Sequence, residues 1–294
     1  MNSYHLIAPH IKQRLEQIVN IPTLPQVLAK VIPMLSDPKV SAREVARVIS
    51  QDQSLVSRVL RIVNSAFYGF PRQITTIDHA LVILGFNRLK AAIFTASVLE
   101  IFKDGKNAIG FDVQGFWEHS IGVGVVARSL AKYLKLSNVE EHFIFGLLHD
   151  VGKLVLDYYG KEYYKKVIKL RNDKDIPLIK AEEEELGFNH SMVGALVLDR
   201  WNLPSDVIDV VGWHHSVLDY EGKFLQSVAV VSIADALTRL IGIGNGGDPY
   251  VPDLNQNLVS LLRLDLVSLD LILSDAVNQI ESMSEFLKIV RGDG

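Results

Sequence analysis

Apolar positions recur with a helical period along nearly the whole chain. Residues 10–19 place Ile11, Leu15 and Ile18 on one face, the spacing of a short amphipathic helix. Pro22 and Pro25 end it, and residues 27–35 repeat the pattern up to Asp37 and Pro38. Ser41-Ala42-Arg43-Glu44 then reads as a capping box. The Ser41 hydroxyl accepts an orphan backbone N–H, and Glu44 reaches back to the cap. Val45, Val48 and Ile49 follow as the buried face. Residues 53–64 predict a helix with Leu55, Val56, Val59, Leu60 and Val63 inward. Residues 66–75 predict a connection whose Phe67, Tyr68 and Phe70 plug a helix junction. Thr76 caps a helix over 77–84, which Gly85 ends. Residues 87–102 are apolar on nearly every side, so they predict a helix buried between two halves of the protein. Polar residues 103–109 mark the boundary between those halves.

Beyond that boundary, residues 113–134 predict a helix carrying His119. Its Gly122 and Gly124 cost about 1 kcal/mol each relative to Ala, so they predict close packing against another helix. Ser137-Asn138-Val139-Glu140 reads as a second capping box, opening the helix that delivers His149 and Asp150. Residues 158–172 predict one amphipathic helix with a solvated Lys-rich face and Tyr at its margin. Residues 178–186 predict another, whose run from Glu182 to Glu185 reads as a solvated face. Asn189 caps a helix that holds His190 in its first turn. Residues 207–213 lead into His214 and His215, and a helix over 224–240 carries Asp235. A loop over 242–248 precedes two more helices, one around Leu258, Leu261 and Leu262 and one over 269–290. No stretch alternates with the period of a strand, so the expected class is all-α.

Composition narrows the function. With 294 residues and 48% hydrophobic content, the chain can build one large domain or two modest ones. A net charge of -4 argues against a general nucleic-acid or anionic-membrane surface. The short helices over 41–85 also allow a helix-turn-helix reading. Yet Arg58, Arg61, Arg72, Arg88 and Lys90 are spread over several helices rather than gathered on one face, which ranks that reading last. There is no cysteine, hence no disulfide and no thiolate metal site. Residues 1–21 lack the basic start and apolar core of a signal peptide. Residues 82–101 come nearest to a membrane span, but Asn87, Arg88, Lys90 and Glu100 interrupt them. The expectation is a soluble cytoplasmic protein without a membrane partner.

The candidate chemistry centres on Leu147-Leu148-His149-Asp150-Val151-Gly152-Lys153. Burying a carboxylate is costly unless it is paired or bound to a metal. An isolated His-Asp pair can simply bond itself or a helix end. Here His119, His190, His214, His215 and Asp235 also sit in or beside apolar helical patterns. Five His and two Asp are hard to satisfy by separate hydrogen bonds; one buried metal site satisfies them together. Lys153, three residues past Asp150, returns near the same helix face. Neighbouring helical residues point about 100° apart, so His214 and His215 need a helix end or turn to converge. His5, His10, His79 and His142 lie outside the pattern and read as surface or packing histidines.

The order His119, His149-Asp150, Asp235 resembles the motif of the HD superfamily of metal-dependent phosphohydrolases. Over roughly residues 18–240 the chain resembles the HDOD branch, an output domain of bacterial signalling proteins. The resemblance rests on Ile21-Pro22-Thr23-Leu24-Pro25, Ile49-Ser50-Gln51-Asp52, Asn64-Ser65-Ala66-Phe67-Tyr68-Gly69 and Leu84-Gly85-Phe86-Asn87-Arg88-Leu89. Phe116-Trp117-Glu118-His119-Ser120 and the run from Leu147 to Lys153 complete it.

The resemblance implies an HD-type helical bundle over 106–241 with a smaller helical bundle over 1–105 before it; residues 242–294, beyond the resemblance, read as a helical extension. It also implies His119, His149, Asp150 and Asp235 as metal ligands. His190, His214 and His215 match the added ligands of a two-metal branch resembling the HD-GYP cyclic di-GMP phosphodiesterases. Lys153 matches a phosphate-contacting lysine and, with Asp150, is the expected catalytic pair. Two divalent ions, Fe or Mn first and Zn or Ni as alternatives, would be left short of negative charge and would take a phosphate.

Two departures matter. The Gly-Tyr-Pro loop of the HD-GYP branch is replaced by Ser216-Val217-Leu218-Asp219-Tyr220-Glu221-Gly222, which argues against cyclic di-GMP as substrate. Gly115 stands where three-metal members carry Glu, which argues against a third ion.

Two functions follow from the resemblance. One is a bacterial signal-transduction output or scaffold protein with a binuclear metal site that binds a phosphate-containing small molecule or nucleotide, together with a signalling protein partner. The alternative is a metal-dependent phosphohydrolase or phosphodiesterase acting on a nucleotide or cyclic dinucleotide.

Overall fold

Side-chain caps set many of the helix starts. The computed structural model describes residues 9–18, 24, 26–37, 39–65, 68–102, 112–252 and 254–281. The first six helices are α1 (Pro9–Ile18), α2 (Gln26–Ser36), α3 (Ala42–Ile49), α4 (Gln53–Val63), α5 (Ile77–Leu84) and α6 (Phe86–Ile101). The expected capping box opens α3: Glu44 N donates to Ser41 Oγ at 3.3 Å, and Ser41 N donates to Glu44 Oε2 at 2.7 Å. Thr76 caps α5. In the connection before α5, Asn64 bonds both N and O of Ile74, and Tyr68 and Phe70 pack on the core as expected. Helix α6 buries ten consecutive residues, Leu89 to Val98, which explains its lack of a polar face.

The second half contains α7 (Val113–Tyr133), α8 (Val139–Leu148), α9 (Val151–Tyr159), α10 (Lys161–Lys174), α11 (Leu178–Leu186) and α12 (His190–Arg200). It continues with α13 (Ser205–Trp213), a 3-10 turn (Val217–Asp219) and α14 (Leu225–Leu240). Helices α15 (Gln256–Leu261) and α16 (Leu266–Glu281) close the described chain. The fold is all-α, with no strand among the described residues. The expected loop over 103–109, Pro22, Pro25, Phe67 and the stretch past residue 281 lie outside the described residues.

Helix α7 is the central element, packing on α8, α14 and α16. Its glycines have the expected reason. A Cβ on Gly124 would sit 2.8 Å from Phe143 O, and one on Gly146 would sit 2.6 Å from Gly124 N. The backbones of α7 and α8 therefore touch, which no larger residue would allow. A second backbone contact joins α9 to α12: a Cβ on Gly152 would lie 1.9 Å from His190 O. One continuous buried cluster runs from Leu15 to Ala276.

Three expectations need correction. Ser137 does not form a capping box; α8 starts at Val139 behind Asn138, which adopts left-handed φ 57 and makes no side-chain cap. An Asn tolerates that conformation, so backbone geometry replaces the hydroxyl cap. Residues 158–172 are not one helix, because α9 ends at Gly160 and α10 begins after it. Tyr164 is fully buried rather than marginal. Glu182 is also fully buried, whereas Glu183 and Glu184 face solvent and pair with Lys180 and Lys174. No helix among the described residues is long and apolar enough to cross a membrane.

Candidate metal centre

The seven predicted residues come from five places and meet in one buried cluster. His119 comes from the middle of α7, and His149 and Asp150 form the turn between α8 and α9. His190 opens α12 behind the Asn189 cap, which accepts from Met192 N. Helix α13 ends at Trp213, so His214 and His215 lie in the following turn, as their convergence requires. Asp235 projects from α14. Six of the seven are buried, and His215 is the one that is not.

Asp150 is the hub. Its Oδ2 lies 3.2 Å from His149 Nε2 and 4.0 Å from His119 Nε2. Its Oδ1 lies 3.1 Å from His190 Nε2 and 3.7 Å from His214 Nε2. Asp235 Oδ1 approaches His119 Nε2 at 3.0 Å and His149 Nε2 at 3.7 Å. His215 Nε2 lies 3.0 Å from His190 Nε2. Two sets of potential ligand atoms result, each within 4.8 Å of one another: His119, His149 and Asp150, and Asp150, His190, His214 and His215.

The outer ring nitrogens are already engaged. His149 Nδ1 donates to Gly146 O at 2.7 Å, and His214 Nδ1 donates to Val211 O at 2.8 Å. His190 Nδ1 meets Glu182 Oε2 at 2.6 Å, and the same oxygen accepts from His190 N at 2.8 Å. These bonds fix the tautomers and aim Nε2 inward, the usual arrangement of metal-ligating histidines. The inward atoms His119 Nε2, His149 Nε2, His214 Nε2 and Asp150 Oδ1 are buried without a hydrogen-bond partner. Orphaned atoms of this kind are costly in a core. A nitrogen- and oxygen-liganded transition metal satisfies them, so the residues present fit such an ion.

Two cations balance the carboxylates. Lys153 Nζ donates to Asp150 Oδ2 at 2.6 Å and to Gly246 O at 2.9 Å. Arg239 Nε donates to Asp235 Oδ1 at 2.8 Å, while its Nη1 donates to the carbonyls of Asp248 and Tyr250. Burial opposes ionisation of Asp150, but His149 and Lys153 hold its pKa well below the carboxylate range. Burial likewise opposes ionisation of Asp235, and Arg239 and His119 outweigh it. Burial works against a charged His149, yet the Asp150 and Asp235 carboxylates raise its pKa to about 9. Burial depresses His214 to about 4 and also lowers His119.

Glu182 and Arg239 were not among the expected site residues. Lys153 is placed as expected near Asp150, but it is buried and bonded rather than presented to solvent. The loop after α14 covers one end of the cluster: a Cβ on Gly246 would lie 3.1 Å from His119 Nε2 and 3.5 Å from Asp150 Oδ2. A cavity of about 370 Å³ opens beside His215, and Asp235, which also approaches His119 and His149, lines part of it.

The fold and the cluster together define an all-α protein built around a buried His/Asp centre able to hold metal. The chain matches the HDOD domain over residues 21–217 and belongs to the HDOD family. It is similar to an HDOD domain protein of unknown function from Geobacter sulfurreducens, at 28% identity and a TM-score of 0.81, covering 95% of this chain and 96% of that one. A Shewanella amazonensis SB2B protein described as a candidate phosphohydrolase shares the fold at 21% identity and a TM-score of 0.75, over 98% of this chain and 99% of that one. An uncharacterized protein of Treponema pallidum (strain Nichols) is 25% identical over 250 residues. That match covers 85% of this chain but 47% of the Treponema protein, so the chain spans about half of that relative's length.

Proposed function

We propose that this chain is a cytoplasmic bacterial signal-transduction output module whose binuclear metal centre binds a phosphate-containing ligand. The observation that carries the reading is the pair of inward-facing ligand sets sharing Asp150, with its orphaned nitrogen and oxygen atoms. In this reading His119, His149, Asp150 and Asp235 hold one ion, and His190, His214 and His215 hold a second through Asp150. Two divalent ions, Fe or Mn, supply the positive charge that attracts the phosphate. Glu182 accepts from His190 Nδ1, which leaves Nε2 as the inward ligand atom and holds the ring in place. Lys153 and Arg239 fix the two carboxylates. A signalling protein partner would read the ligand-bound state.

The N-terminal cations do not favour a nucleic-acid partner. Arg58 pairs with Glu100, Arg88 with Glu140 and Lys90 with Glu141. The last two pairs tie α6 to α8 rather than offering a basic face to phosphates.

A second reading, a metal-dependent phosphohydrolase acting on a nucleotide or cyclic dinucleotide, is favoured by the cavity. It gives an ester and a water molecule a place beside His215 and Asp235. Asp150→Ala tests both readings. Metal content and phosphate binding are measured on the metal-loaded full chain, with phosphate-ester turnover followed alongside. Loss of metal and phosphate binding together supports the binuclear reading, and turnover in the wild type that vanishes in the variant promotes the hydrolase. Phosphate binding that survives the loss of metal contradicts both.

A further inference from the structure

The cavity beside His215 and Asp235 lies between the turn after α13, helix α14 and the start of α15. Its size suits a small organic ligand, since such pockets run from about 300 to 1,000 Å³. Val217, Leu218, Ile233, Leu254 and Leu258 supply the apolar part of its wall, and Ser216, Leu218, Asp219, Pro252 and Asn255 leave it open to solvent. Ser216, Ser232 and Asn255 add neutral polar groups, and Asp219 adds a carboxylate. No Lys or Arg stands among the described lining residues. Any attraction for a phosphate must therefore come from the metal end.

We infer that this cavity selects an ester carrying a single phosphate and an uncharged organic group, and selects against polyphosphates and cyclic dinucleotides. The inference rests on the proposed metal centre and names the ligand class it takes. One phosphate sits at the His215–Asp235 end, and its organic group lies against the apolar part of the wall. A second phosphate would lie beside the Asp219 carboxylate with no cation among the described lining residues to pair it, and like charges repel. The wall formed by Pro252, Leu254 and Leu258 lies beyond the HDOD match at residues 21–217. Ligand choice is thus written partly in the C-terminal extension, outside the matched domain.

The test uses the Mn-loaded full chain at fixed free Mn²⁺ and measures binding of inorganic phosphate, AMP, ADP and cyclic di-AMP by calorimetry. AMP binds about tenfold tighter than inorganic phosphate, and ADP and cyclic di-AMP bind about tenfold weaker than AMP. Leu218 is exposed, so Leu218→Arg brings a guanidinium to the wall without opening the core. That variant narrows the AMP–ADP gap to about threefold while metal content stays at the wild-type level. Adenosine release during the titration reports productive AMP binding and supports the same assignment. Phosphate binding without any gain for AMP, or ADP binding tighter than AMP in the wild type, overturns the inference and leaves the proposed function standing. Absence of metal-dependent binding of both phosphate and AMP overturns the two together.

Discussion

The two ends of the His/Asp cluster are built differently. At the His119–His149 end, Gly246 presses on the His119 ring and its carbonyl caps Lys153. At the His215 end the imidazole is not buried, and the cluster faces a cavity. The closed end is shaped by backbone contacts that exclude side chains, so it is suited to holding an ion. The open end has side-chain walls and free volume, so it is suited to exchanging a ligand. Asp150 joins them, with one oxygen turned toward each end.

Removing the shared carboxylate disrupts both ends at once. Asp150→Ala empties both ligand sets and leaves Lys153 buried without its anion. The expected cost is roughly 3–5 kcal/mol of stability, read by denaturant unfolding, along with loss of metal. Gly152→Ala comes next, because its new Cβ meets the backbone at His190 O rather than a movable side chain. Unfolding should register a loss of about 1–3 kcal/mol or more, and His190 should part from Asp150. Unchanged stability would show that α9 and α12 can separate freely.

Glu182→Gln acts on one end alone. It leaves the His119–His149 end intact and removes the carboxylate from His190. Metal affinity at the open end should fall about 10–100-fold, while the closed end keeps its ion. Equal weakening of both ions would mean the two ends do not act separately. The smallest expected effect lies away from the centre. Burial lowers the pKa of His142, which bonds Asn138 O and approaches Ser227 Oγ at 3.2 Å. Its folded pKa is below its unfolded value, so its stability contribution is full above about pH 6.5 and falls as pH drops below it, by at most ~1.4 kcal/mol per pH unit. His142→Gln should flatten that acid limb without altering metal content.

Much of the centre is legible in the sequence because its His and Asp residues interrupt apolar runs. His149-Asp150 and Asp235 stand out against the leucines, valines and alanines around them. Helix caps at Ser41, Thr76 and Asn189 are equally plain, since each is a local bond between near neighbours. Glu182 was hidden by its acidic neighbours, although it shares a four-residue spacing with Leu178 and Leu186 and so lies on the buried face. Arg239 stands four residues after Asp235, a spacing that brings side chains together on a helix. The Gly246 cover had no local signal, because its partners lie more than ninety residues away in Lys153 and farther still in His119.

The most direct test of the central claim is metal content per chain, by elemental analysis of protein purified without oxygen and without a metal-affinity tag. The binuclear account predicts about two transition-metal ions per chain, Fe or Mn. Folded protein that holds none, and takes up none when Fe or Mn is added, would contradict it. His149 and Asp150 would then be hydrogen-bonding core residues.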